Sequence, residues 1–253
     1  MDFEMQKASM WKRISAFLFD LIMLGTVAVL FAWALSALTG YDGYSRTVRE
    51  SYAHYSEIYG VDLGMTRAEY EALSEEDAQK VLAGFEAMNQ DKQALHANQM
   101  MMELSVLIVS LAIFLAYMVM EFLLPLRLGT GQTLGKKIFS IGLMKTDGTK
   151  VRAVHLFIRT FLGKYAIETM VPVLILLMIY WGTIGIVGPA VILMILILDL
   201  ALMLFTRTRS MIHDLLAGTV VIDAPSQRIF DTPEDRAAYV ARLAAEQAAR
   251  EPY

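Results

Sequence analysis

The sequence VPVLILLMIYWGTIGIVGPAVILMILILDLALMLF, residues 171–205, contains one charged side chain, that of Asp199. Extended back to His155, this apolar run is long enough for two helices, because a transmembrane helix needs about 20 predominantly apolar residues. The segment Trp181–Gly185 supplies turn-forming glycines between the two halves. The two predicted spans are His155–Tyr180 and Ile186–Phe205.

Two more apolar stretches lie earlier in the chain, at Ile14–Leu38 and Ser105–Leu126. Each contains one ionisable residue, Asp20 in the first and Glu121 in the second. Apolar residues form 56% of the chain and charged residues 19%, whereas a soluble domain has about 25% charged residues. The sequence therefore predicts an all-α polytopic membrane protein with four transmembrane helices.

The beginning of the third span allows a second interpretation. Arg152, His155 and Arg159 share one helical face there, so residues 153–168 could form an amphipathic helix in the membrane interface. Both interpretations keep four spans.

Lysine and arginine are unevenly distributed over the connecting segments. Residues 127–155 carry six basic side chains and one acidic side chain, whereas the loop 41–99 carries five basic and eleven acidic ones. Basic residues also precede the first span and follow the last, Arg207 among them. The positive-inside rule then predicts a plasma-membrane protein with both termini cytoplasmic and the loop outside. The first span is too long for a signal peptide and is expected to be an uncleaved anchor.

The loop 41–99 has the signals of helices. Thr66 and Glu69 have the spacing of a capping box, and Ser74 is a good N-cap because acidic residues follow it. The sequence predicts a helix from there toward the second span, with a break near Asn89–Asp91.

The cytoplasmic segments are expected to form a small sheet and a helical tail. Asp147-Gly148 is a turn signal between Ile141–Lys145 and Lys150–Arg152, which predicts a hairpin. Thr219–Ile222 is expected to add a third strand, because an isolated hairpin is marginal in water. The tail is residues 224–253, with a helix capped by Thr232 and continuing to about Arg250.

The sequence carries no recognisable motif for catalysis, a cofactor or a metal. Gly129–Lys137 lacks the spacing of a phosphate-binding loop, and is expected instead to place Lys136 and Lys137 near anionic headgroups. His213-Asp214 lacks the further ligands that a metal site needs, so a hydrogen-bonded pair is expected there. We therefore expect no cofactor, no metal and no enzymatic activity, and the net charge of −4 argues against nucleic-acid binding.

Ionisable residues inside the predicted spans are the most informative feature. A charge at the bilayer centre costs at least about 2.5–3.5 kcal/mol on insertion scales, so such residues are expected to face the helix bundle and to pair. Three carboxylates are the candidate cation or proton sites: Asp20, Asp199 and Glu121. Three basic residues are their candidate counter-charges: Arg13, Arg159 and Lys164. We expect Asp20 within reach of Arg159 or Arg13, with Asp199 facing the same cluster.

Three motifs occur in a fixed order along the chain. They are WKRISAFLFD at Trp11–Asp20, GQTLGKK at Gly131–Lys137 with the Asp-Gly turn after it, and MIHDLLAGTVVI at Met211–Ile222. Together they resemble the RDD family of bacterial membrane proteins over about residues 8–223, apart from the outer loop.

The RDD family is named for one arginine and two aspartates. The resemblance assigns the arginine to Arg13, the first aspartate to Asp20 and the second to Asp214, beside His213, with Asp199 as the alternative. It implies an integral membrane protein that transports an unidentified ligand.

Two functions are compatible with these observations. The first is a small transporter, dimeric because four spans make a thin bundle, that moves a cation or a proton-coupled ligand through the charged cluster. The second is a membrane scaffold that binds another protein and whose buried charges only hold its helices together. The transporter needs a titratable, water-accessible Asp20 or Asp199, whereas the scaffold needs only paired charges.

Overall fold

A computed structural model describes residues 6–129, 131–206 and 208–249. In chain order its elements are α1 (Met10–Thr39), α2 (Tyr41–Tyr59), α3 (Arg67–Glu71), α4 (Glu75–Gln90), α5 (Lys92–Arg127), α6 (Leu134–Ile138), β1 (Ile141–Lys145), α7 (Ala153–Tyr180), α8 (Val187–Phe205), α9 (Ile212–Ala217), β2 (Thr219–Asp223) and α10 (Pro233–Ala248). Over these residues, α1, α5, α7 and α8 are the helices long and apolar enough to cross a membrane. The four predicted spans are confirmed as apolar helices, and α1 and α5 begin earlier than predicted.

Two of these long helices contain π-helical segments. In α5 the segment is Met118–Leu123, and in α7 it is Ile158–Met170. Each segment ends just before a proline, Pro125 or Pro172. Proline has no N–H to donate and its ring clashes with the preceding turn, so the regular helical pattern cannot run through it unchanged. The π-helical segment of α7 is thus a wider stretch of helix, and it holds Arg159 and Lys164.

The chain divides into two compact units, Val29–Ala112 and the remainder. Within Val29–Ala112 the predicted helical loop is confirmed as helices α2, α3 and α4. Thr66 and Glu69 form the predicted capping box, and the Ser74 side chain accepts a hydrogen bond from the backbone of α4. The predicted break also occurs, because Asp91 has extended backbone between α4 and α5.

The small sheet lies in the other unit, outside Val29–Ala112. Strand β1 pairs antiparallel with β2, from Ile141 opposite Asp223 to Lys145 opposite Thr219. The predicted role of Thr219–Ile222 as a strand is confirmed, but the predicted strand at Lys150–Arg152 is wrong. Among the described residues, this segment pairs with β1 through a single isolated bridge, between Met144 and Lys150. The Lys150 N–H donates to the carbonyl of Phe230, so it does not extend the pairing with β1.

The sheet is fixed to the start of α1. Ala8 and Ala16 pack with Ile141, Leu143 and Val221 in one buried cluster. The Lys12 Nζ lies 2.6 Å from a carboxylate oxygen of Asp223, which ties the same helix end to β2.

The tail begins as predicted. Thr232 caps α10, and Asp235 completes a capping box. Helix α10 ends at Ala248, and the predicted end at Arg250 lies outside the described residues, as does Arg207.

Candidate functional site

A cavity of about 350 Å³ lies within the unit that contains the sheet. Its wall combines charged and apolar side chains. The charged ones are Arg13, Asp20, Lys136, Arg159, Lys164 and Asp214, with His213 beside them. The larger apolar ones are Ile14, Phe17, Leu18, Ile141, Met203, Met211 and Val221. This mixture of apolar walls and a few polar groups is typical of ligand-binding pockets.

Arg159 is the most connected charge in the wall. Its Nη1 donates to Asp214 and, at 3.1 Å, to the hydroxyl of Thr219. Its Nη2 lies 3.0 Å from Nε2 of His213. Arg159 is 3% exposed and Asp214 is 1% exposed, so the ion pair is removed from water. Buried pairs of this kind lose stability where an acceptor stays unsatisfied, and the second carboxylate oxygen of Asp214 accepts no hydrogen bond from the described residues.

His213 links this pair to a second carboxylate. Its Nδ1 lies 2.8 Å from both carboxylate oxygens of Glu168, and its backbone N–H also donates to Glu168. Burial, with the positive charge of Arg159, lowers the pKa of His213 well below its ordinary value. A neutral imidazole that donates from Nδ1 and accepts at Nε2 fits both partners. The hydrogen-bond partners of His213 are therefore Glu168 and Arg159, whereas Asp214, with which a pair was predicted, lies 3.5 Å from its Nε2.

A glycine allows α7 and α9 to approach this closely. A Cβ atom on Gly163 would lie 2.5 Å from the Cα of His213 and still closer to its Cβ. Any larger residue at position 163 would push α9 away, and His213 and Asp214 with it.

Asp20 binds the N-terminal end of α6. One carboxylate oxygen accepts from the Thr133 hydroxyl at 2.5 Å and the other from the Gly135 N–H at 2.7 Å. Gly135 permits this approach, because a Cβ there would overlap the Ala16 carbonyl and lie 2.9 Å from the Asp20 carboxylate. Asp20 thus lines the same cavity as Arg13 and Arg159, but within the described residues it forms no ion pair with either arginine, because Thr133 and Gly135 hold its two oxygens.

Glu121 and Lys164 form a second buried ion pair. Lys164 Nζ lies 2.7 Å from the Glu121 carboxylate. The Thr160 hydroxyl donates to the Glu121 carbonyl, so α5 and α7 are joined at two points. Lys164 and Glu168 stand four residues apart, but they have different partners, Glu121 for Lys164 and His213 for Glu168.

Arg13 and Asp199 lie at the edges of the cluster. Arg13 Nη1 donates to the Arg209 carbonyl at 2.6 Å, and Nη2 lies 3.9 Å from Asp214. Asp199 accepts from the backbone N–H of Ile212, one residue before His213. Asp199 and Glu121 are buried, but neither contributes to the cavity wall.

The structure separates the two lysines that were expected near headgroups. Lys137 is exposed, whereas Lys136 is 7% exposed and lines the cavity. Sequence reasoning did not place Lys136, Thr133, Glu168 or Thr219 in the cluster. Glu168 is an ionisable residue in an apolar helix, which is a signal for such a cluster, whereas the other three reach it through the packing of α6 and β2.

A comparison with protein-family models finds the model described as the RDD family, which matches residues 7–218. No curated protein matches the chain significantly, and no solved structure does. The match includes both Asp199 and Asp214, so both remain candidates for the second aspartate.

Proposed function

Since the chain belongs to the RDD family and carries apolar helices of membrane-spanning length, it is an integral multi-pass membrane protein, and we propose that it is a small transporter. In this proposal the charged cavity binds a solute whose movement is coupled to a proton or another cation. The protein acts as a carrier in the plasma membrane and not as an enzyme.

The observation that carries the proposal is the concentration of ionisable groups around one cavity. Charges in membrane-spanning helices are costly, and they most often mark pathways for ions or substrates. Here α1 and α7 both bring charged residues to the same wall. A cavity of about 350 Å³ gives these residues a space in which a solute can bind.

Asp199, which lies at the edge of the cluster and outside the cavity wall, is the best candidate for the coupling carboxylate. The donor recorded for it within the described residues is the Ile212 N–H, at 3.0 Å. A carboxylate has about four lone-pair positions, so Asp199 keeps capacity for a proton or a cation. Asp20 and Glu121 are already held by strong partners, and Arg13, Arg159 and Lys164 are the counter-charges.

Reconstitution tests this function. The purified protein is placed in vesicles with an entrapped pH-sensitive dye, and a sodium or potassium gradient is imposed. Wild-type protein should change the internal pH, and Asp199→Asn should lose most of this flux, since asparagine still accepts from Ile212 but cannot ionise. Glu103→Gln, at an exposed position of α5, is the matched control and should behave as wild type. Wild-type vesicles without cation-driven pH change would contradict the proposal.

The scaffold remains the second candidate, favoured by the closed ion pairs Lys164–Glu121 and Arg159–Asp214. A scaffold would lose stability, not flux, when these pairs are broken. The vesicle assay and thermal unfolding of the same variants therefore separate the two functions.

A further inference from the structure

Lys136 differs from the other cations of the cavity wall. Its Nζ donates to the Thr133 hydroxyl at 3.3 Å. No carboxylate of the described residues lies within 4 Å of it, although its side chain is almost fully buried. A buried ammonium without a counter-ion is unfavourable, because desolvation is not offset by an ion pair.

The remaining wall does not neutralise this charge. Lys164 is bound to Glu121, and Arg159 is bound to Asp214. The two carboxylates in the wall are already engaged, Asp20 by Thr133 and Gly135, and Asp214 by Arg159. Four cationic side chains and two carboxylates line the cavity, so its wall is positive when all are ionised.

The apolar part of the wall adds a second requirement. Three apolar side chains of α1 line the cavity, those of Ile14, Phe17 and Leu18. Met203 and Met211 line it as well. A small inorganic anion would leave the apolar part of the cavity unfilled. A ligand with an anionic group and an apolar body would satisfy both parts of the wall.

We propose that the cavity binds an amphiphilic anion, with a phosphate or carboxylate group against Lys136 and an apolar body against α1. This inference deepens the proposed transport function, because it names the class of solute. The ligand could be a membrane lipid or a soluble amphiphile, since the two offer the same chemistry.

The pKa of Lys136 agrees with this geometry. Burial, and then the positive charge of Lys164, lowers the pKa of Lys136 to about 7. Glu121 and Asp20 act in the opposite direction, and Arg159 adds to the decrease. A bound anion would restore the charged form.

Octyl phosphate is the probe for a direct test. It is titrated into the full-length protein in an uncharged maltoside detergent, with calorimetry as the readout. Octyl glucoside and inorganic phosphate test the apolar body and the anionic group separately. We expect octyl phosphate to bind more tightly than either.

Substitution of the lysine localises the site. Lys136→Gln should weaken octyl phosphate binding about tenfold or more, because a hydrogen bond to a charged group contributes about 1.5–3 kcal/mol. Lys136→Arg keeps the charge and should retain binding. Lys137→Gln removes the neighbouring exposed charge and should bind as wild type. Gel filtration identifies any variant that fails to fold. If Lys136→Gln does not fold, the affinity for octyl phosphate is compared between wild type and Lys136→Arg.

A lipid source gives a different pattern. Phosphatidylglycerol would then stay bound during purification, detected by native mass spectrometry, and Lys136→Gln would lose it while Lys137→Gln would not. Octyl phosphate binding that is equal in wild type and Lys136→Gln, or an absence of both ligands, would overturn the inference.

The binding and flux assays fail independently. Lys136-dependent binding in a protein without flux would contradict only the transport function. Cation-driven flux without Lys136-dependent binding would contradict only the anion site.

Discussion

Arg159 illustrates how a single side chain can organise a buried site. It contacts Asp214, Thr219 and His213, which belong to α9 and β2, while its own backbone belongs to α7. The guanidinium group suits this position, because its planar array of donors can serve several acceptors at once. Arg159 therefore connects a membrane helix to the small sheet.

Removal of this arginine should be strongly destabilising. Arg159→Met would leave Asp214 buried without its closest ion-pair partner, and loss of one member of a buried pair typically costs about 3–5 kcal/mol. The midpoint of thermal unfolding in detergent should fall clearly below that of wild type. Arg152→Met, at an exposed position seven residues earlier, should leave the midpoint almost unchanged. Equal midpoints for the two variants would show that the Arg159 contacts do not stabilise the protein.

Lys136 makes a prediction about pH. Its pKa is about 7 in the folded protein, against an ordinary value of 10.5. Between these values the unfolded chain binds more protons than the folded protein, so the stability contributed at this position rises with pH. Thermal midpoints of wild type, compared with those of Lys136→Gln, should therefore improve from pH 7 to pH 10. A difference that stays constant over this range would contradict the burial of an unpaired lysine.

Local elements were largely predictable from short patterns. Hydropathy located all four apolar helices, and the signals at Thr66, Ser74 and Thr232 located helix starts, because capping depends on a few neighbouring residues. The strand expected at Lys150–Arg152 failed, since its backbone partner Phe230 is distant in sequence. Pairing between distant segments is not encoded in such patterns.

The approach of α7 to α9 gives a prediction at the level of elements. Gly163→Ala would introduce a methyl group into the space held by His213, and overpacking of this kind costs about 1–3 kcal/mol. The unfolding midpoint should fall, and the flux should fall with it. Gly25→Ala in α1 is the control, because a Cβ there meets nothing within 4 Å, and its midpoint should equal or exceed that of wild type. A Gly163→Ala protein as stable as wild type would mean that α9 is not packed as described.

At the scale of the whole molecule, the sequence was sufficient for the class of protein and for part of the site. Charges within apolar helices identified Arg13, Asp20, Arg159 and Lys164, all of which line the cavity. Lys136 was assigned to the membrane surface, because nothing local distinguishes it from Lys137. Its burial results from the packing of α6 against α1, which no linear pattern describes.

The proposed orientation can be tested because the chain has no cysteine. Single cysteines at the exposed positions Glu57 and Glu86 should react with an impermeant reagent applied to intact cells. Cysteines at the exposed positions Lys150 and Arg242 should react only after permeabilisation. Basic segments stay on the cytoplasmic side, which is the physical basis of the expectation. Labelling of Lys150→Cys in intact cells would refute this topology.

An exchange of charges between Glu121 and Lys164 tests most directly whether the charged cavity is functional. The double variant Glu121→Lys, Lys164→Glu keeps an ion pair between α5 and α7 but replaces a cation of the cavity wall with a carboxylate. The decisive measurement is the flux of this double variant in reconstituted vesicles. The double variant must first be shown to unfold at a higher temperature than either single variant. We predict that the exchanged protein folds and carries no flux. Flux at the wild-type rate would show that the cavity charges are only structural.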